Sequence, residues 1–382
     1  MGPASEPAGL ERLRSFRYRS PAAWASLKSP PDRPTGTTGT TPPPAAAGRF
    51  ARMGPPPATP TGIAAALPLI AVASAAVAGG LAAFGMIRVR GSTAVPAAAW
   101  SVAACLALAA EMAMRSAGGL ADPAAAAAAR LAVVAVAVCP AMSLLGAKRP
   151  QHGVWQFIVA TLAFVLVMPA ISARLMRPGS LPDVHLIGRF FMPVLVLVGW
   201  LNFAGTRRAL PASCVAIGQI LLMRGFLPGA RADAAGGMGL DALAAVLLAA
   251  GALLATIQTL AVAGRPAPPA AGLLAAAIDP AFVALRDTLG AAWALRLAEA
   301  FNALATTRGW PCRLRFGGID ETSDVSGGEP SCEASCETTA WHADAVHAFR
   351  ALARRFVDDG WLSRHGWRET RNGGPRDDLA AS

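Results

Sequence analysis

Residues 63–87 read IAAALPLIAVASAAVAGGLAAFGMI and are followed at once by Arg88 and Arg90. This uncharged run exceeds the ~20 apolar residues that a helix needs to cross about 30 Å of hydrocarbon. Five further stretches have the same character. They are 94–114, closed by Arg115; 124–147, closed by Lys148 and Arg149; 154–173, followed by Arg174 and Arg177; 187–205, before Arg207 and Arg208; and 239–263. A seventh, 210–223, is shorter and contains Gln219, so it fits a tilted or re-entrant segment as well as a full span. The expected fold is an all-α polytopic membrane protein with six or seven transmembrane helices, filling 63–263. Prolines at Pro68, Pro140, Pro169 and Pro193 predict bends rather than breaks, because neighbouring helices satisfy the freed carbonyls.

Composition agrees. The chain has 382 residues, of which 54% are hydrophobic and 15% charged, and its mean hydropathy is +0.44. An ordinary soluble domain and a mainly disordered chain are both excluded. Gly and Pro are frequent, at 38 and 31, but without the three-residue period of collagen. The net charge of +11 is unevenly placed: 1–62 carries 8 basic and 3 acidic residues, 63–263 carries 13 and 5, and 264–382 carries 13 and 15. The excess therefore lies in the first segment and in the short connections between apolar stretches, where it anchors spans, and no nucleic-acid partner is expected. Lys28 and Lys148 are the only lysines among 34 basic residues, a bias attributable to GC-rich coding. The expected location is a cell membrane, a bacterial one.

Orientation is balanced. Arg88/Arg90, Lys148/Arg149 and Arg207/Arg208 mark one side without an acid, whereas Arg115, Arg174/Arg177 and Arg224/Arg231 on the other are diluted by Asp122, Asp183 and Asp233. The basic N-terminal segment joins the second side, so the positive-inside rule nearly ties. Residues 1–62 are expected to be disordered and proline-rich. Leu10, Leu13 and Phe16 with Arg12, Arg14, Arg17 and Arg19 fit a short membrane-surface element, although a solvated tail explains them more simply. A secretory signal peptide fits poorly, since the first long apolar stretch begins after sixty residues.

Polar residues within spans are candidates for function. Glu111 is read as the only acid inside a span, with Arg115 one turn later on the same face, either buried and functional or an ion pair at the headgroup boundary. Arg130, early in its span, is placed near the interface. Gln156, Asn202, Gln219 and Gln258 can hydrogen-bond between helices. Ala75, Gly79 and Ala83 form a small-residue stripe suited to close helix approach.

After a linker at 264–278, residues 279–368 read as a small, mainly helical C-terminal domain, followed by a disordered 369–382. Asp279-Pro280 has the form of a helix cap and first position, and Phe282, Leu285, Leu289, Trp293, Leu297 and Phe301 repeat at helical spacing up to Gly309. Residues 310–316 alternate like a short strand, 317–339 read as a polar loop, and a second helix is expected over 340–358. Trp293, Trp310, Trp341, Trp361 and Trp367 either close a small core or form an interaction surface at the membrane.

Cys332 and Cys336 precede His342 and His347 and are candidate ligands for a metal ion, or a redox pair, although the spacing departs from zinc signatures. No phosphate-binding loop, H-E-x-x-H pair or G-x-S-x-G elbow is present, which points away from an enzyme, and no cofactor is expected. The expected role is membrane-associated assembly or scaffolding, with the lipid bilayer and a membrane-protein partner. The alternatives are a small-solute transporter or channel-like protein using Glu111 and Arg115, and a metal-dependent membrane enzyme.

Overall fold

A computed structural model describes the backbone of residues 62–146, 152–230, 237–263, 272–321 and 332–367, and their side chains except at 62–65, 152, 262–263 and 332–340. The expectations for 1–61, 264–271 and 369–382 lie outside the described residues. The membrane part comprises α1 (Gly62–Arg88), α2 (Val95–Ser116), α3 (Pro123–Ala137), α4 (Cys139–Leu145), α5 (His152–Leu175), α6 (Leu186–Ala204), α7 (Ala209–Leu222) and α8 (Met238–Ala263). Among the described residues, six segments are long and apolar enough to cross a membrane, with α3 and α4 together forming one of them. The protein is a polytopic helical membrane protein.

The seventh stretch, α7, has 14 residues against 19 or more in each of the six spans, yet its contacts show where it runs. At its start the Arg208 guanidinium donates to the Ala255 carbonyl and, at 2.7 Å, to Thr259 Oγ1, late in α8. Just past its end Arg224 pairs with Asp241, early in α8, at 2.7 Å. It therefore lies antiparallel along α8 rather than turning back. Fourteen residues at 1.5 Å each span only about 21 Å, and a 3₁₀ turn at Arg224–Phe226 extends it.

Pro68, Pro169 and Pro193 sit inside continuous helices. Pro140 does more than the expected bend, since α3 and α4 are interrupted at Val138. Proline has no N–H and its ring crowds the carbonyl four residues earlier. Gln219 of α7 donates to the Ala137 carbonyl at the break, at 2.6 Å.

Contacts between elements close a ring: α1 meets α2, α2 meets α3 and α4, α4 meets α6, α6 meets α7, α7 meets α8, and α8 returns to α1. α5 packs outside on α3 and α4. Small residues make this possible. Ala75 is fully buried, and a Cβ on Gly79 would lie 3.3 Å from Cys105 Cβ, so α1 and α2 approach at backbone distance.

The C-terminal elements are α9 (Leu273–Leu289), α10 (Ala291–Arg308), the antiparallel pair β1 (Cys312–Arg315) and β2 (Gly318–Glu321), α11 (Cys332–Ala353) and α12 (Asp359–Arg364). Four expectations change here. The first helix starts at Leu273 with Pro280 inside it, because the Asp279 carboxylate accepts from the Ile319 N–H at 2.7 Å instead of capping. It does not continue to Gly309 but breaks at Gly290, whose φ of +90° suits glycine. A strand, β2, occupies the start of the polar loop, and the last long helix begins before 340 and ends at 353.

Phe282, Phe301, Phe349 and Trp361 centre the C-terminal core, and Ala94 and Leu144 of the membrane part join it. Docking is polar as well as apolar. The Thr93 N–H donates to the Phe356 carbonyl and the Asp358 N–H to the Gly91 carbonyl, both at 2.8 Å. Trp293 Nε1 donates to the Leu144 carbonyl at 2.9 Å, and Arg364 to the Arg90 carbonyl at 2.6 Å. All these contacts lie at one end of the ring.

A crossing α7 puts the connections before and after it in opposite compartments, and a re-entrant one puts them in the same compartment. In a chain whose native cysteines are replaced by serine, R207C and P228C are expected to react with an impermeant thiol reagent from opposite sides of sealed vesicles; reaction from one side would make α7 re-entrant.

Candidate functional site

At the ring end away from the C-terminal elements, five charged side chains meet. Glu111 and Arg115 lie one turn apart on α2; Arg130 is on α3, Arg224 follows α7, and Asp241 opens α8. Asp122 positions α3 by accepting from the Ala124 and Ala125 N–H groups at 3.1 and 3.2 Å, with Pro123 at the first helical position. Seven residues further, about 10 Å into the helix, Arg130 is 2% exposed. Its Nε and Nη2 bind Glu111 at 2.9 and 3.1 Å, and its Nη1 and Nη2 bind Asp241 at 2.7 and 3.0 Å. The fork of one guanidinium thus holds two carboxylates.

Arg115 adds contacts to Glu111 at 2.7 Å and Asp241 at 3.2 Å. Arg224 binds Asp241 and the Leu221 carbonyl at 2.7 and 2.9 Å. Three cations face two anions, and backbone carbonyls of Ala126, Leu221 and Gly237 take the remaining N–H donors of Arg115 and Arg224 that reach them. The expected Glu111–Arg115 pair is therefore real but part of a larger buried network. Arg130 is interior rather than interfacial, and Asp241 is a second acid within a span, 0% exposed. The sequence carries one signal for this: three arginines and two acids recur at the same membrane end, which isolated interface anchors do not need.

Inside the ring lies a chamber of 2030 Å³. Its walls are mostly small or apolar, with Ala98 and Cys105 from α2, Gly199 and Trp200 from α6, and Gly251 and Ala252 from α8. It reaches Leu108 and Leu222, each close in sequence to a member of the ion network, while α9 lies along its other end. Charged lining residues are confined to that second end: Arg88, Arg207, Arg208, Asp279, Asp287 and Arg364.

Burial, reinforced by Glu321 against the opposing Ile319 hydrogen bond, raises Asp279 above the usual carboxylate range. Burial also pushes His365 below its ordinary 6.5, against the contact of its Nδ1 with the Trp361 carbonyl and with Arg364 adding to the effect.

The other predicted residues separate by role. Gln156 accepts from Trp100 Nε1 at 3.1 Å and donates to Ser143 at 2.9 Å, tying α2, α4 and α5 together. Asn202 latches the α9–α10 junction, donating to the Leu289 carbonyl at 2.9 Å and accepting from the Ala292 N–H at 3.0 Å. A Cβ at Gly290 would lie 2.1 Å from its amide, a second reason for glycine there. Gln258 lines the chamber, and its buried carboxamide oxygen has no hydrogen-bond partner among the described residues.

Trp293, Trp310, Trp361 and Trp367 are buried and Trp341 is half-buried, so these rings fill the C-terminal core rather than present a surface. The ring of His342 packs on Trp341 at 4.0 Å and His347 is exposed. The side chains of Cys332 and Cys336 lie outside the described residues, and among those described no three His, Cys, Asp or Glu groups converge as a metal site.

Comparison with family models, with curated proteins and with solved structures finds no match to this chain. Its class is set by fold alone, a multi-pass helical membrane protein.

Replacing Arg130 by Ala leaves two buried carboxylates short of their shared partner and is expected to cost ~3–5 kcal/mol. The exposed Arg308–Asp344 pair, 3.5 Å apart, should lose no more than ~1 kcal/mol in R308A; unfolding of both variants in mixed micelles checks the contrast. A second expectation concerns pH. His365 has a folded-state pKa below its unfolded value, so its stabilising contribution is present above about pH 6.5 and lost on acidification. Thermal midpoints should fall between about pH 7.5 and pH 5.5, and less steeply in H365Q.

Proposed function

We propose that this protein is a transport-type membrane protein whose helical ring admits a solute into the central chamber. One observation carries the proposal: a half-open cavity of 2030 Å³ runs from inside the ring of helices out along α9 and α12, about twice the upper end of the ~300–1,000 Å³ typical of small-molecule pockets. Its two ends differ in kind. The ion network binds α2, α3, the turn after α7 and α8 at one end, and only α9 and the docked C-terminal elements cover the other.

An assembly role drew on an outward tryptophan surface, and the burial of those rings removes that support. The metal-dependent alternative keeps Cys332, Cys336, His342 and His347 as its candidates and gains no observation here.

Charge supports an orientation. The connections that meet the C-terminal elements hold Arg88, Arg90, Lys148, Arg149, Arg207 and Arg208 without an acid. On the other side, Arg115 and Arg224 are engaged in the buried network. With the N-terminal segment set aside, these six basic residues outnumber Arg174, Arg177 and Arg231 near the opposite span ends, which by the positive-inside rule supports a cytoplasmic C-terminal region.

Cys105 tests the chamber without an added probe residue, since it is half-buried in the wall while Cys139 is fully buried nearby on α4. The anionic reagent methanethiosulfonate ethylsulfonate, applied from the C-terminal side, is expected to modify Cys105 and spare Cys139, read by peptide mass. Equal protection of both thiols would refute the chamber.

A further inference from the structure

We infer that the chamber takes an anionic amphiphile, with its head among the arginines at the C-terminal end and its chain along the apolar wall. This rests on the transport-type reading above and specifies the ligand class. The lining is divided along its length. Among the described residues, four arginines and two aspartates line the C-terminal end, and the wall beyond them carries no charge. Asp287 is already paired with Arg286 at 3.2 Å, and Asp279, raised by burial, holds its proton more readily than an exposed carboxylate. The field at the mouth is therefore positive, and a water-poor site strengthens it.

The arginines are not equally committed. Arg208 is held by the Ala255 carbonyl and Thr259 Oγ1, so it is fixed in place on α8. Arg207 and Arg88 are exposed, the latter with its guanidinium 5.2 Å from the Phe84 ring centroid. Their donors can reach a head group, and a planar guanidinium suits carboxylate and phosphate alike.

A separate observation points the same way. Trp361, 0% exposed and one helical turn before Arg364, also lines this end, and its indole N–H has no acceptor among the described residues. Buried donors are normally satisfied, and a shift of this ring toward the arginine end would let its N–H meet an oxygen of an anionic head. The rest of the lining suits a chain: α7 provides about 21 Å of wall from Arg208 to Leu222. Leu273, at the start of α9, is 81% exposed at the mouth and offers apolar contact to an entering tail.

The test uses the full chain in phosphatidylcholine nanodiscs and follows the rate of Cys105 modification. Palmitate and hexadecyl phosphate are expected to slow it at least about tenfold, and the preferred one identifies a carboxylate or a phosphate head. Hexadecyltrimethylammonium and inorganic phosphate should leave the rate unchanged. R88Q/R207Q should abolish protection while Cys105 still reacts with an uncharged methanethiosulfonate, which shows that the ring is intact, and R88K/R207K should restore most of the protection. Equal protection by the cationic amphiphile would overturn the selection by charge. A reactive Cys105 that no amphiphile protects would overturn this inference and leave the chamber standing, whereas an unreactive Cys105 would remove both.

Discussion

A guanidinium with 2% exposure between helices requires fixed partners, and the membrane part of this fold is organised around that requirement. Arg130 is neutralised by Glu111 of α2 and Asp241 of α8. Rotating either helix by one residue, about 100°, would turn its carboxylate away. That matters because the helices are otherwise poor at defining their own rotation. α1 and α8 are apolar around most of their circumference and rich in Ala and Gly, so many facing pairs pack about equally well. The ion network supplies the direction that apolar packing leaves open, and α7 is drawn into it through Arg224.

At the opposite end the same problem is solved differently. Backbone carbonyls and N–H groups of the connections 89–94 and 144–146, and the Asn202 amide, meet the C-terminal elements directly. Neither end depends on large side chains crossing the middle. With short residues on the inner faces, the ring remains open along its axis, and the chamber is the geometric result of fastening the helices mainly at their ends.

The spans were legible in the sequence because crossing a membrane depends on length and apolarity summed along one segment. The status of 210–223 was not, because fourteen residues are ambiguous until Arg208 and Arg224 are seen to bracket α8. Glu111 and Arg115 could be paired from their spacing, but the partners that bury them lie 19 and 126 positions away on helices whose rotation no periodicity reveals. Asp241, the third residue of the 239–263 stretch, gives no sign of its partners for the same reason. In the C-terminal part, hydrophobic spacing located the helices, while their limits were decided by tertiary contacts. Asp279 serves β2 instead of a helix start, and Asn202 of the membrane part accommodates the break at Gly290. The tryptophans join Phe282, Phe301, Phe349 and Phe356 in the core, where their large apolar area is buried.

The pairing of Gly91 and Thr93 with Phe356 and Asp358 also orders events during synthesis. These contacts join the first described connection of the chain to almost the last described turn. The membrane helices emerge from the ribosome long before their partners at 356–358 exist. The connection after α1 must therefore wait, solvated by water or guarded by another protein, until residues 356–358 have been made. Completion of the fold is a late, long-range closure, and a nascent chain stalled before α12 would carry an unfinished docking site at its C-terminal-side rim.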